Sequence, residues 1–167
     1  ILKKNTSETH FFSRSTIETN FELFDYSKID LQFQNVSNDK YLKTHNIRSP
    51  IITSNSTLIS KVEFEGSKDD LEFYIDAEMY EDLTKINDSD KYEFIFPNFN
   101  LSKILDTRLN GSMEIESTGY NKLFETNINE KVIINKLRYK SLNSINQIGI
   151  INNFEFLFNN FNADSRN

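Results

Sequence analysis

The chain has 167 residues with 19 basic and 25 acidic side chains, a net charge of −6, 37% hydrophobic residues, four glycines, two prolines and neither cysteine nor tryptophan. This acidic balance leaves nothing to neutralise a phosphate backbone, which argues against a nucleic-acid binder. Without cysteine there is no disulfide scaffold, thiolate zinc site or cysteine nucleophile. No window approaches 18 consecutive apolar residues, so no membrane-spanning helix is encoded.

The opening Ile1-Leu2-Lys3-Lys4-Asn5 runs directly into polar residues and does not read as an export signal. Because the first residue is not Met, the chain reads as a piece of something longer, one incomplete domain over residues 1–167. Asparagine occurs 22 times and alanine only as Ala77 and Ala163. Such a skew points to AT-rich coding before it points to physics.

In chain order, period-2 alternation dominates, as strands with two unlike faces require. Ile29, Leu31 and Phe33 alternate with Asp30, Gln32 and Gln34. Turn-like clusters follow at Ser37-Asn38-Asp39 and over residues 46–50. Leu58, Ser60, Val62 and Phe64 then alternate with Ile59, Lys61 and Glu63, before a turn signal at Gly66-Ser67-Lys68-Asp69. Over residues 70–80, Leu71, Phe73, Ile75, Ala77 and Met79 share a face opposite Glu72, Tyr74, Asp76 and Glu78; a helical reading would leave Phe73 on the wet side. After the turn Asn87-Asp88-Ser89-Asp90, the residues Tyr92, Phe94 and Phe96 share a face, and Pro97 places a bulge, strand end or edge there. Leu109, Gly111, Met113 and Ile115 oppose Asn110, Ser112, Glu114 and Glu116, and Thr118-Gly119-Tyr120-Asn121 reads as a turn. Residues 131–140 alternate weakly, residues 143–146 read as a turn, and Ile148, Ile150, Phe154, Phe156 and Phe158 oppose Asn153, Glu155 and Asn159. The sum is seven or eight strands of 8–12 residues without a convincing helix: an all-β, antiparallel up-and-down meander.

Alternation alone leaves open what meets the apolar side. A soluble sandwich buries it against a second sheet; a membrane barrel turns it to lipid and lines a wet lumen with the polar side. The polar faces carry acids and amides to the strand centres, 15 Phe and 7 Tyr suit lipid contact and interfacial girdles, and the strand–turn rhythm is regular. These favour a partial transmembrane barrel over a sandwich. The expected lumen-facing set is Asp30, Gln32, Gln34, Glu72, Asp76, Glu78, Glu114, Glu116 and Glu155. The expected lipid-facing set is Ile29, Leu31, Phe33, Phe73, Ile75, Phe154, Phe156 and Phe158.

Nothing in the sequence reads as an enzyme. His10 and His45 are the only histidines and have no spacing suggestive of a metal site or a triad. The acids of Asn87-Asp88-Ser89-Asp90 lack the glycine and closing glutamate of a calcium loop. The pairs Glu63/Glu65, Asp76/Glu78 and Glu114/Glu116 describe a polar wall as readily as acid–base chemistry. No phosphate loop is present. Catalytic, cofactor and metal sites are therefore not expected.

Several stretches together resemble one family. Thr9-His10-Phe11-Phe12-Ser13, followed by the run from Ile29 to Lys43 with its Val36-Ser37-Asn38-Asp39-Lys40-Tyr41-Leu42 turn, resembles the early barrel of the LptD (OstA) family of lipopolysaccharide-assembly outer-membrane proteins. The stretch from Leu71 to Leu83 before Asp90–Phe99, with its aromatic-Pro step, is similar to a strand pair of that family. The span from Leu109 to Asn135, with Gly119-Tyr120 and Thr126-Asn127, is similar to its next hairpin, and the Asn-, Ile- and Lys-rich style resembles members from AT-rich marine alphaproteobacteria. The resemblance implies an outer-membrane location and a translocon that inserts lipopolysaccharide into the outer leaflet. Its implied partners are lipopolysaccharide, a plug lipoprotein and periplasmic bridge proteins. It also implies parts this chain lacks: an export signal, a periplasmic jelly-roll domain, further strands and interdomain disulfides. The competing expectation is a soluble all-β binding or adhesion module of a secreted or surface protein; a hydrolase would need His10 or His45 to converge with acids.

Overall fold

The computed structural model describes residues 8–47, 49–125 and 128–166. Eight strands form one antiparallel sheet in sequence order: β1 (His10–Thr19), β2 (Tyr26–Val36), β3 (Thr57–Lys68), β4 (Leu71–Asp82), β5 (Tyr92–Leu105), β6 (Gly111–Phe124), β7 (Ile128–Ser141) and β10 (Glu155–Arg166). A two-stranded hairpin, β8 (Ser144–Ile145) with β9 (Ile151–Asn152), sits in the connection between β7 and β10. The expected all-β meander is therefore the observed architecture. The sheet is not closed: among the described residues, the outer edges of β1 and β10 pair with nothing.

Several expected turns are placed differently. Gly66, Ser67 and Lys68 belong to β3, and the chain reverses in the two residues Asp69-Asp70, where Asp69 takes the left-handed backbone (φ 49°) that aspartate tolerates. Thr118-Gly119-Tyr120-Asn121 lies inside β6 rather than at a turn; the reversal follows at Glu125, with φ 46°. The glycine there serves close approach. A Cβ on Gly119 would stand 2.6 Å from the Val132 carbonyl oxygen and 2.8 Å from the Phe99 ring. Ile148 and Ile150 do not extend the last strand, because the β8–β9 hairpin intervenes. The expected bulge at Pro97 is present: Phe96 and Pro97 together oppose the single positions Ala77 on β4 and Asn121 on β6. Asn121 Nδ2 donates to the Phe96 carbonyl at 2.9 Å, which satisfies an acceptor the bulge displaces.

Two helical turns were not expected. The helix α1 (Tyr41–His45) ends on Asn46 in the left-handed conformation, and α2 (Asp88–Lys91) occupies the acidic cluster read as a turn. Helix α1 carries Tyr41 and Leu42 into a small core with Leu58 and Leu83, against which Phe12, Val36, Ile47 and Ile52 pack. This is the buried apolar cluster of the described residues, and it sits at one end of the strands rather than across the sheet. Thr126 and Asn127, part of the family resemblance, and Ile1 to Asn5 lie outside the described residues, as does Arg48 within the expected turn over 46–50.

Because Gly119 is pressed against both a ring and a neighbouring strand's carbonyl, Gly119→Ala should destabilise the sheet by about 1–3 kcal/mol, as overpacking does. Urea unfolding followed by tyrosine fluorescence checks this; an unchanged midpoint would mean that β6 and β7 do not approach so closely.

Candidate functional site

The register sorts every strand residue onto one of two faces. Thr16 pairs with Asp30, Asp30 with Glu63, Glu63 with Asp76, Asp76 with Asn98, and Asn98 with Tyr120. Glu78 lies opposite Lys61, Glu72 opposite Ser67 and Ser102, Glu116 opposite Lys136, and Glu155 opposite Lys140. By this pairing Asp30, Gln32, Gln34, Glu72, Asp76, Glu78, Glu114, Glu116 and Glu155 all share one face. Ile29, Leu31, Phe33, Phe73, Ile75, Phe156 and Phe158 share the other, where Ile29 opposes Phe64 and Phe158 opposes Leu137; Phe154 precedes β10 and lies outside the ladder, with its ring 5.6 Å from that of Tyr139 on this face.

Burial on these faces runs opposite to that of an ordinary soluble sheet. On the polar face Asp30 is 7% exposed, Gln34 4%, Glu63 8% and Asp76 3%. On the apolar face Phe33, Val62 and Ile133 remain 45%, 42% and 44% exposed. The main contacts between sheet strands run only between neighbours, so among the described residues no second sheet covers this one. Carboxylates so sheltered are screened by side chains of their own face, since charged groups are buried only when paired.

That face is held by charge pairs both within strands and across them. Lys28 Nζ lies 3.1 Å from both Asp30 Oδ2 and Glu65 Oε2, and Lys61 Nζ bonds Glu63 Oε2. Thr16 Oγ1 donates to Asp30, and Tyr74 Oη donates to Asp76. Farther along, Lys122 reaches Glu93 at 2.9 Å, Lys136 reaches Glu116 at 3.1 Å, and Arg138 reaches Glu155 at 3.2 Å. Tyr120 Oη donates to Glu130 at 2.6 Å. The sequence places Lys61 and Tyr74 on the polar faces beside the acids, but does not single out Lys28, Tyr120, Lys122, Lys136 or Arg138 as their partners. Their signal was their position, alternating with apolar residues on the same strands.

The apolar face carries an oblique band. The row that contains Leu31, Val62 and Ala77 passes through the bulge to Asn121, Lys131 and Asp164, so it begins apolar and ends polar. On β10 the apolar residues of this face are centred on Phe156, eight residues from Asp164, after six strand-to-strand steps from β2. With a rise of about 3.3 Å per residue and strands about 4.8 Å apart, that slide corresponds to strands tilted roughly 40–45° to the band. From Leu71 to Met79 on β4 the band runs about 27 Å along the strand, or about 20 Å measured across the tilt. Aromatic rings border it. Phe21, Phe24 and Phe73 contact Phe64 with centroids 5.5–6.1 Å apart at one edge, and Phe11, Phe33, Phe94 and Phe96 stand exposed at the other.

The histidines meet at α1 rather than at a catalytic centre. His10 Nδ1 lies 2.6 Å from Tyr41 Oη, the His45 ring is 4.5 Å from that of Tyr41, and His45 Nε2 is 2.9 Å from Glu8 Oε2 at an exposed position. Among the described residues no group of three acids or histidines is arranged to hold a metal ion. No helix among them is long and apolar enough to cross a membrane, which leaves strand crossing unaddressed. Comparison of the chain with protein-family models, with curated proteins and with solved structures gave no match.

At the same end as α1, Lys91 Nζ bridges Asp39 Oδ1 and Glu81 Oε1, each at 2.9 Å, and ties the β2–β3 connection to the β4–β5 connection. The hydrogen bonds that Lys91 donates to these two carboxylates hold its ammonium well above the usual lysine range. Lys91→Met should therefore free the α1 segment. Amide exchange over residues 38–45 is expected to accelerate, while the β3–β4 ladder stays protected; equal protection in the variant would show that the bridge does not tether the loop.

Proposed function

We propose that this chain is part of the wall of an outer-membrane β-barrel, a transport element without catalysis. The observation that carries this reading is the oblique, solvent-exposed apolar band on a sheet whose sheltered face is charged. Its slide matches the 35–45° strand tilt of membrane barrels, its height approaches their ~25 Å apolar zone, and its aromatic borders fit their girdles. Strands of 10–14 residues at this tilt are long enough to cross the hydrocarbon core. The polar set from Asp30 to Glu155 then lines the lumen, and the set from Ile29 to Phe158 meets lipid.

Within that class we assign the chain to lipopolysaccharide insertion into the outer leaflet. The support for this finer assignment is the resemblance of residues 9–13, 29–43, 71–99 and 109–135 to the LptD family, with a plug lipoprotein and periplasmic bridge proteins as partners. A soluble binding module is the reading it displaces, because that reading needs a second layer over Phe33, Val62 and Ile133.

Phe156→Arg puts a charge on the lipid side and should cost roughly 2–4 kcal/mol near the bilayer midplane, whereas Glu155→Arg on the opposite face should cost little. Unfolding in phospholipid vesicles measures both; equal costs would reverse the face assignment. The isolated chain should need detergent or lipid to remain dispersed, since it has two open edges and a bare apolar face. A soluble monomer that unfolds in one sharp transition without detergent would refute the membrane reading. For the finer assignment, a photo-crosslinker at Glu116 in native outer membranes should capture lipopolysaccharide, and its absence there would sink that assignment alone.

A further inference from the structure

Along the polar face of β4 the successive residues are Tyr74, Asp76, Glu78 and Tyr80. Each tyrosine ties up one acid: Tyr74 Oη donates to Asp76 Oδ2, and Tyr80 Oη donates to Glu78 Oε2 at 2.7 Å. Asn98 Nδ2 on β5 adds a 3.0 Å bond to the same Asp76 Oδ2. The second oxygen, Asp76 Oδ1, is buried and has no hydrogen-bond partner.

The cations of the neighbourhood are committed elsewhere. Lys61 stands opposite Glu78 in the ladder, yet its ammonium bonds Glu63 Oε2. Lys28 is held between Asp30 and Glu65. Opposite Asp76 and Glu78 on β5 are Asn98 and Ile95, and neither is cationic. Asp30, Glu63 and Asp76 follow one another across three strands, an arrangement of like charges that destabilises a sheet unless countercharges intervene. A sheltered carboxylate with an unmet oxygen is costly for the same reason. The face is therefore short of positive charge at one place, between β4 and β5.

The chemistry of that place selects the cation. Among the described residues no third acid or histidine converges with Asp76 and Glu78 as metal ligation requires. The two carboxylates lie about 6.7 Å apart along the strand, two residues of rise, and are bounded by the tyrosines. Such a slot suits N–H donors on a planar or compact cation, which bond carboxylates and favour aromatic faces. We propose that the Asp76–Glu78 step of β4 binds a guanidinium or alkylammonium group on the polar face. Asp76 Oδ1 and the free oxygen of Glu78 accept its N–H bonds, and rotation of the flexible Lys61 and Glu78 side chains admits it. The site depends on the face and its charges, and stands whether or not the sheet lies in a membrane.

The test titrates the detergent-dispersed 167-residue chain with methylguanidinium chloride, against sodium chloride at matched ionic strength, and follows the ¹³C carboxyl resonances of Asp76 and Glu78. A saturable shift at both carboxyls with methylguanidinium, and none with sodium, is expected. Asp76→Asn and, separately, Glu78→Gln should weaken it about tenfold or more, as loss of a charge-assisted bond does. Without added cation, Asp76→Asn should raise the urea midpoint, because it removes an uncompensated charge. A Gly-Arg-Gly peptide acting at lower concentration than methylguanidinium assigns the cation to a protein segment; one acting at equal or higher concentration assigns it to a free small molecule. No saturable shift, the same shift with sodium, or an undiminished response in both variants overturns the proposal.

Discussion

The fold depends on strand register. In a sheet with side-chain period 2, a slip of one residue exchanges the two faces of a strand. Here such a slip on β4 would place Asp76 and Glu78 among Leu31, Val62 and Phe64, and would put Ile75 and Ala77 among Lys28, Asp30 and Lys61. Charge pairs resist the same slip across β2–β3, β5–β6, β6–β7 and β7–β10, because each joins residues of one face that are directly opposed or two residues from it. Individually such pairs contribute little when exposed. Their weight lies in specifying which strand residues face which side.

Register also explains which parts were legible in the sequence. The strands β2, β3 and β4 alternate without interruption, so both their existence and their faces could be read from Ile29–Phe33, Leu58–Phe64 and Leu71–Met79. Strand β6 was cut short because Gly119 looks like punctuation, whereas it is there to admit the Phe99 ring and the β7 backbone. Strand β7 alternates poorly because its pattern changes sense along its length. Leu137 and Tyr139 lie on the apolar face, while Val132 and Ile134 lie on the polar one, opposite Tyr120 and Thr118. The last strand does the same: Phe156 and Phe158 face one way, and Phe161 and Ala163 the other. A band that crosses strands obliquely must leave each of them at a different residue, and a one-dimensional pattern shows that as noise.

The polar side was legible only in part. The acids stood out because they interrupt apolar runs, yet their meaning depends on partners 10–37 residues away on adjacent strands. Lys28 with Glu65 and Lys122 with Glu93 are joined by pairing that alternation does not reveal. The helical turns were hidden for another reason. Five residues of α1 are too few for a periodic signal, and they are held by packing of Tyr41 and Leu42 on Leu58 and Leu83 rather than by helix propensity.

The obliquity of the apolar band also fixes how much perimeter this sheet supplies. A strand inclined by roughly 43°, with neighbours about 4.8 Å away, takes up about 6.5 Å of circumference. The eight strands of the sheet thus supply about 52 Å, the outline of a ring about 17 Å across between backbones. Lysine, arginine and tyrosine side chains pointing inward from opposite walls would fill a bore of that width. A ring with an open bore lined by such side chains would need a longer perimeter than these eight strands provide.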